Sequence, residues 1–201
     1  MNKPRYFQED TYHHLYNRGA NKAKIFLDLN DYRFFQRRLL KYKTKYSIEI
    51  ICYCLMPNHF HIFVRQTLKD KPINKFISDL INSYTKSINK KYERSGVLFE
   101  SRTKNKIVYD ERAFPVLTKY ILKNPVQAKL CKSFDEYEFS SAKELLNLSE
   151  FCVTDKTILN YFENVEKFRE YILTDEEIEF DKLFVVPQRN LRGLKSNPEG
   201  L

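Results

Sequence analysis

The sequence predicts an α+β fold, in which helices pack against a mostly antiparallel sheet. Two observations favour this fold class. Apolar residues alternate with a period of two in some segments and recur every three to four residues in others, and the two kinds of segment follow one another along the chain. The chain has 201 residues, of which 42% are hydrophobic and 15% aromatic. This is enough apolar material for one main domain with its own core.

The first half of the predicted core is a strand, a helix and a hairpin. In order, the segments are a strand over Thr11–Arg18, a helix over Asp31–Tyr46, a strand over Ser47–Met56 and a returning strand over His59–Gln66. The first strand alternates, so that Tyr12, His14 and Tyr16 share one face. The third segment is rich in β-branched and apolar residues, as in a buried strand, and Pro57-Asn58 marks the turn that follows it.

The second half adds helices and further strands. A helix is predicted over Pro72–Tyr92, a strand, basic turn and strand over Gly96–Tyr109, a helix from about Pro115 to Asn124, and one or two helices within Thr154–Leu173 and Asp175–Asp181. Asp110 offers an N-cap ahead of the Pro115 helix. That helix is expected to end at Asn124 because Pro125 follows. The last fifteen residues are rich in Pro and Gly and predict a flexible tail.

This order of elements predicts a ferredoxin-like antiparallel sheet with helices packed on one face, plus a C-terminal helical appendage. Charge divides the chain at the same point. Residues 1–149 carry 28 Lys and Arg against 15 Asp and Glu, a net +13, whereas residues 150–201 carry 7 against 11, a net −4. We therefore expect a main domain over 1–149 and an acidic helical extension with a tail over 150–201. The basic domain favours a polyanionic partner, although a lysine-rich protein with no such partner explains the charge equally well.

Several classes of protein are excluded or disfavoured. No run of about 18 apolar residues could form a transmembrane helix, and the N-terminus lacks the apolar stretch of a signal peptide. The four cysteines include no C-x-x-C pair, which argues against a zinc ribbon and against a secreted disulfide scaffold. We expect reduced thiols, a cytoplasmic location and no membrane partner.

His59 and His61 are the first candidate site residues. Positions i and i+2 of a strand point to the same face, so the two imidazoles would lie side by side and could bind one divalent ion. The alternative is two surface histidines on an edge strand.

Tyr120 and Asn124 are the second candidate pair. Four residues apart on a helix, they lie on a shared flank one turn apart. A phenol and an amide there could face the two histidines. The alternatives are that Tyr120 is one of many packing tyrosines and that Asn124 merely ends its helix.

These residues resemble the motifs of a known family. Met56-Pro57-Asn58-His59-Phe60-His61 is similar to the His-hydrophobe-His motif of single-tyrosine transposases, and Tyr120 followed by Asn124-Pro125-Val126 is similar to their second motif. Other landmarks agree: Asn17-Arg18-Gly19, Gly96-Val97-Leu98-Phe99 with Arg102, and Ser140-Ser141. The closest group is the REP-associated tyrosine transposases, relatives of insertion-sequence transposases in the HUH endonuclease superfamily. The resemblance covers about residues 10–145.

The resemblance implies an enzyme of DNA transposition and recombination that cuts and rejoins single-stranded DNA by transesterification. Tyr120 would be the nucleophile and would form a 5′-phosphotyrosine. His59 and His61 would bind Mg²⁺ or Mn²⁺, with Asn124 as third ligand. The expected partner is a hairpin-forming repeat with adjacent unpaired nucleotides, bound by a monomer or a homodimer.

Basic residues would position the DNA backbone. We expect phosphate contacts from Arg18, from a ridge of Arg33, Arg37 and Lys41, and from the stretch that contains Arg102, Lys104 and Lys106. Two other functions stay open from the sequence: a DNA-binding protein of the same fold without catalysis, and a metal-dependent phosphodiesterase in which water attacks.

Overall fold

The computed structural model describes residues 10–175. Four strands form one antiparallel sheet in the order β2-β3-β1-β4. The elements are β1 Thr11–Arg18, α1 Leu29–Tyr46, β2 Ile48–Met56, β3 His59–Gln66, α2 Ile73–Lys91, β4 Lys104–Val108, α3 Ala113–Gln127, α4 Ala142–Leu145 and α5 Val165–Leu173, with short 3-10 turns at Ala20–Lys22 and Thr157–Tyr161. The predicted α+β fold with its ferredoxin-like sheet is confirmed.

Helices cover both faces of the sheet, where the sequence predicted one. On one face, Leu15 and Phe60 pack among residues of α1 and α2. On the other face, Phe63 packs among residues of α3 and α5. The reason is visible in β2, which is buried along almost its whole length and sends Tyr53 to the first core and Cys52 to the second. A strand that is apolar on both sides needs cover on both sides.

The segment 96–109 contains one strand rather than the predicted pair. β4 pairs with β1 over only five residues, Lys104 to Val108, so Lys104 and Lys106 of the basic stretch lie inside the strand, whereas Arg102 precedes it. The preceding residues, 96–103, cross the end of β1, where Phe99 makes a single bridge to Gly19. They have no partner strand because β1 ends there.

Helix α3 begins earlier and ends later than expected. Pro115 is its third residue, where a missing N–H costs nothing because the first turn has no carbonyl partner for it. The helix also continues through Pro125, which lies in the last turn and forfeits only one backbone hydrogen bond. Asp110 accepts a hydrogen bond from the N–H of Arg112 and so caps the turn that leads into the helix.

Residues 150–175 pack against the rest of the chain. Val153 lies in the core under α1 and α2, while Ile158, Phe168 and Ile172 lie in the core under α3. The predicted helix Asp175–Asp181 and the tail fall almost entirely outside the described residues. All four cysteines are free thiols. No helix in the described range is long and apolar enough to cross a membrane.

Candidate active site

The two histidines of β3 lie side by side on the sheet face that α3 covers. Phe60, between them in sequence, points to the opposite core. The ring centroids of His59 and His61 are 5.2 Å apart, and His61 is buried. Because β3 is an inner strand with neighbours on both sides, the alternative of two histidines on an edge strand does not hold. Both side chains line a cleft of about 490 Å³, called here the His59–His61 cleft.

Strand β1 adds two rings that sequence reasoning did not assign to the site. Tyr16 pairs with His61 in the β1–β3 register, and its ring stacks on those of His61 and His14 at 5.9 and 4.9 Å. Nε2 of His14 lies 2.9 Å from Nδ1 of His61. The alternation of β1 predicted that His14 and Tyr16 share a face, but their contact with His61 depends on a strand register that the sequence does not reveal.

Helix α3 brings the predicted tyrosine and asparagine to the same histidines. The ring of Tyr120 stands edge-on to that of His61, with centroids 5.6 Å apart and planes at 87°. Asn124 lies one turn further on, and its Nδ2 donates to the carbonyl oxygen of Tyr120 at 2.8 Å. The shared flank therefore does face the histidine pair.

The histidines are held in their neutral form. Burial lowers the pKa of His59; a hydrogen bond with Asn124 raises it in part, and the charge of Arg18 lowers it again. Burial, together with His14 and His59, holds the pKa of His61 well below its usual value. A neutral imidazole keeps the lone pair that a metal ion needs.

The phenol of Tyr120 is held in its protonated form. Burial raises its pKa, an interaction with the Asn124 side chain lowers it in part, and nearby Tyr16 raises it. At neutral pH the oxygen would therefore need to lose its proton to become a strong nucleophile.

The donor set fits a divalent ion bound by two imidazoles and an amide oxygen. Nδ1 of His59 contacts Oδ1 of Asn58 at 2.7 Å, and Nδ1 of His61 contacts His14, so Nε2 is the nitrogen that each ring would offer to a metal. Asn124 donates its Nδ2 to the backbone, so its Oδ1, on the side that interacts with His59, is the atom that it would offer to a cation. Within residues 10–175, no group of three or more His, Cys, Asp or Glu could hold a metal. A third protein ligand to an ion at this site would therefore be of another type.

Comparison with known proteins identifies the family. The sequence profile described as transposase, IS200-like, matches residues 7–124, which is more than half of the chain. The chain belongs to the IS200-like transposase family. A solved structure of a REP-associated tyrosine transposase bound to a REP hairpin has a similar fold, with a TM-score of 0.62 and 16% identity over 78% of this chain and 93% of that one.

A crystal structure of a protein from Deinococcus radiodurans, described as a transposase, is also 16% identical. It covers 60% of this chain and 95% of its own, with a TM-score of 0.43. No sequence among the curated proteins matches this transposase.

The predicted DNA-contacting cations of this transposase fall into two groups. Arg18 and Lys104 line the His59–His61 cleft, and Arg102 lines the neighbouring groove. Lys106, on β4, lies close enough to His14 for its positive charge to lower the pKa of that histidine. In contrast, Arg33, Arg37 and Lys41 belong to α1, on the other side of the sheet, and Arg33 pairs with Glu138 at 3.4 Å. The fold therefore brings together the first group and separates it from the second.

The end of β1 also holds the segment that forms the far wall of the cleft. The Asn17 side chain donates to the carbonyl of Ser101 at 2.9 Å, and the carbonyl of Arg18 accepts from the N–H of Glu100 at 3.0 Å. The guanidinium of Arg18 pairs with the Glu100 carboxylate at 2.5 Å. Two landmarks that are distant in sequence, Asn17-Arg18-Gly19 and the segment around Phe99, thus form one structural unit.

Proposed function

We propose that this transposase cuts and rejoins single-stranded DNA by metal-assisted tyrosine transesterification. One observation carries the proposal: the Tyr120 ring stands against His61, and Asn124, one turn away on the same helix, interacts with His59. The phenol of Tyr120, the two imidazoles and the amide of Asn124 thus lie beside one another, which is the arrangement that a single-tyrosine mechanism needs.

Nε2 of His59, Nε2 of His61 and Oδ1 of Asn124 would hold Mg²⁺ or Mn²⁺. When bound, such an ion offsets the negative charge of the phosphodiester, which otherwise repels a nucleophile. Imidazole ligands alone would also suit zinc, whereas the amide oxygen favours a harder ion.

The reaction exchanges one phosphoester bond for another. As the phenol of Tyr120 loses its proton, its oxygen attacks phosphorus. The phosphorus–O3′ bond then breaks, and that oxygen takes up a proton and leaves as a free 3′-hydroxyl. The fragment downstream of the cut stays on the protein, joined through its 5′-phosphate to Tyr120 as a phosphotyrosine. Attack by a 3′-hydroxyl on that linkage reverses the step, so rejoining needs no nucleotide hydrolysis, and the sequence has no Walker motif.

The proposed substrate is a hairpin-forming repeat with unpaired flanking nucleotides. The REP hairpin bound by the structural neighbour supports this choice. Arg18, Lys104, Lys106 and Arg102 would contact phosphates close to the cut, and the α1 ridge of Arg33, Arg37 and Lys41 would contact DNA further away. Such contacts fix the register of the strand without reading its sequence.

A denaturing gel tests the proposal. Single-stranded oligonucleotides from repeats flanking the gene, labelled at the 5′ or 3′ end, are incubated with the protein and Mn²⁺. We expect 3′-end label to be retained on the parent protein, to be lost in Tyr120→Phe, and to fall strongly in His59→Ala. Equal cutting by Tyr120→Phe would contradict the proposal. Cleavage without an adduct would indicate a hydrolase, and binding without cleavage across many repeats would indicate an inactive DNA-binding protein.

A further inference from the structure

A second groove lies beside the His59–His61 cleft. It runs between α2 and the segment 97–103 and has a volume of about 640 Å³, which falls within the range of about 300–1,000 Å³ typical of ligand sites. We call it the α2 groove. Its lining includes Asn74, Ile77, Ser78, Ile81, Asn82 and Arg102.

The polar side chains of the α2 groove form a row. Asn74, Ser78 and Asn82 are spaced four residues apart, so they follow one another along a single face of α2. Amides and hydroxyls both donate and accept hydrogen bonds, which lets them pair with the edge of a nucleobase.

The rest of the groove suits the other parts of a nucleotide. Ile81 is partly exposed and offers apolar surface to the flat face of a base, with the buried Ile77 one turn away on the same wall. Val97, on the opposite wall, is 73% exposed and adds apolar surface to the groove. Arg102 adds a guanidinium that can bind a phosphate.

The α2 groove and the His59–His61 cleft share one wall. Glu100 lines both, and its carboxylate is paired with Arg18, so the wall does not present an uncompensated negative charge to DNA. The hydrogen bonds from Asn17 to Ser101 and from Glu100 to Arg18 hold this wall to the end of β1. A single strand with its phosphate at the histidine pair can therefore cross a fixed edge directly into the groove.

We propose that the α2 groove binds one unpaired nucleotide of the strand that the His59–His61 cleft cuts. The base lies against Ile77, Ile81 and Val97 with its edge on the row of Asn74, Ser78 and Asn82. The inference rests on the proposed function for the identity of the strand, but not on chemistry at Tyr120.

Photo-crosslinking of the Tyr120→Phe protein tests the groove without any cleavage. The probe is a pool of short single strands of random sequence that carry 4-thiothymidine, and crosslinked peptides are mapped by mass spectrometry. We expect crosslinks within residues 74–82 and 97–103. In fluorescence anisotropy with the same pool, Asn82→Asp should weaken binding about tenfold, because a carboxylate repels the strand and removes the amide donors.

Asn160→Asp is the matched control. Asn160 is exposed like Asn82 and receives the same charge change, but it lies in the Thr157–Tyr161 turn, which packs on α3 across the sheet. Crosslinks confined to other surfaces, or equal weakening by the two variants, would overturn the inference. If groove crosslinks form but the parent protein makes no tyrosine adduct, the proposed function fails while the groove assignment stands; an adduct without groove crosslinks gives the reverse.

Discussion

His14 and His61 are joined across neighbouring strands by a contact of 2.9 Å between Nε2 of His14 and Nδ1 of His61. Both rings are buried and lie nearly parallel, with planes 14° apart. If Nε2 of His61 binds a metal, Nδ1 of His61 carries the proton and donates a hydrogen bond to Nε2 of His14. This contact fixes the tautomer and the orientation of the ring, as partners of metal-binding histidines generally do. We infer that His14 is a positioning residue.

Replacing His14 should weaken metal binding even though His14 touches no metal. We expect His14→Leu to lower the affinity for Mn²⁺ about 10–100-fold, the usual effect of losing such a partner. His14→Gln, whose amide oxygen can accept the same hydrogen bond, should recover most of the loss. Calorimetric titration with Mn²⁺ alone measures this. His13→Gln is the control, because His13 lies on the other face of β1 and bonds to Asn105 and Thr11. Equal affinity in His14→Leu and the parent would refute the role.

The metal-free protein should lose stability as the pH falls below about 6.5. Burial, aided by the charge of Lys106, lowers the pKa of His14 to about 3. Between pH 6.5 and 3, the unfolded chain therefore binds a proton at His14 that the folded chain does not bind. The stability that His14 contributes is therefore complete above its ordinary pKa of 6.5 and declines between 6.5 and 3, by about 1.4 kcal/mol per pH unit.

Urea unfolding in EDTA at several pH values measures this decline. Carboxylates also destabilise proteins in acid, so the informative quantity is the difference between the parent and His14→Gln. We expect a shallower slope for the variant, and parallel slopes would contradict the assignment.

Gly19→Ala should destabilise the wall of the cleft. Gly19 has an ordinary φ of −64°, so the constraint is space and not backbone conformation. An added Cβ would lie 2.1 Å from the carbonyl oxygen of Ala23. Because this oxygen belongs to the backbone, it cannot move away as the end of a flexible side chain could. We expect a loss of about 1–3 kcal/mol in the free energy of unfolding. Ser101→Ala, an exposed change in the adjoining segment, should cost less than about 0.5 kcal/mol. Thermal melts that leave the two variants equal would show that the contact is relieved.

Phe168→Ala should test whether α5 is part of the folded core. The Phe168 side chain is fully buried among residues of α3, and its truncation should cost about 3–5 kcal/mol. Glu170→Ala, two residues on and facing solvent with a single Lys167 partner, should cost about 0.5 kcal/mol or less. Denaturant unfolding distinguishes the two. A small effect of Phe168→Ala would mean that α5 is dispensable for stability.

Much of the fold could be predicted because its periodicities are local. The bounds of β1 and β3 match the predicted strands, and α2 differs from its prediction by one residue at each end. The turn at Pro57-Asn58 was equally clear, since proline and asparagine have strong local preferences. For the same reason, the helical flank shared by Tyr120 and Asn124 followed from spacing alone.

What could not be predicted depends on contacts between distant segments. The second helical face of the sheet follows from burial on both sides of β2, which a run of apolar residues cannot distinguish from burial on one side. The continuation of α3 through Pro125 follows from the place of this proline in the last turn, where it forfeits only one backbone hydrogen bond, and the sequence alone does not reveal which turn is the last. The contact of His14 with His61 depends on the pairing register of two strands separated by a helix and a third strand.

Helix α3 carries both the proposed nucleophile, Tyr120, and the amide of Asn124 that would complete the proposed coordination of the ion. Tyr120 and Asn124 are one turn apart on a single rigid element, and the backbone carbonyl of Tyr120 holds the Asn124 amide. Any displacement of this helix would withdraw the two together. Under the proposed mechanism, such a displacement would leave the site without its nucleophile and without one of its ligands at the same time.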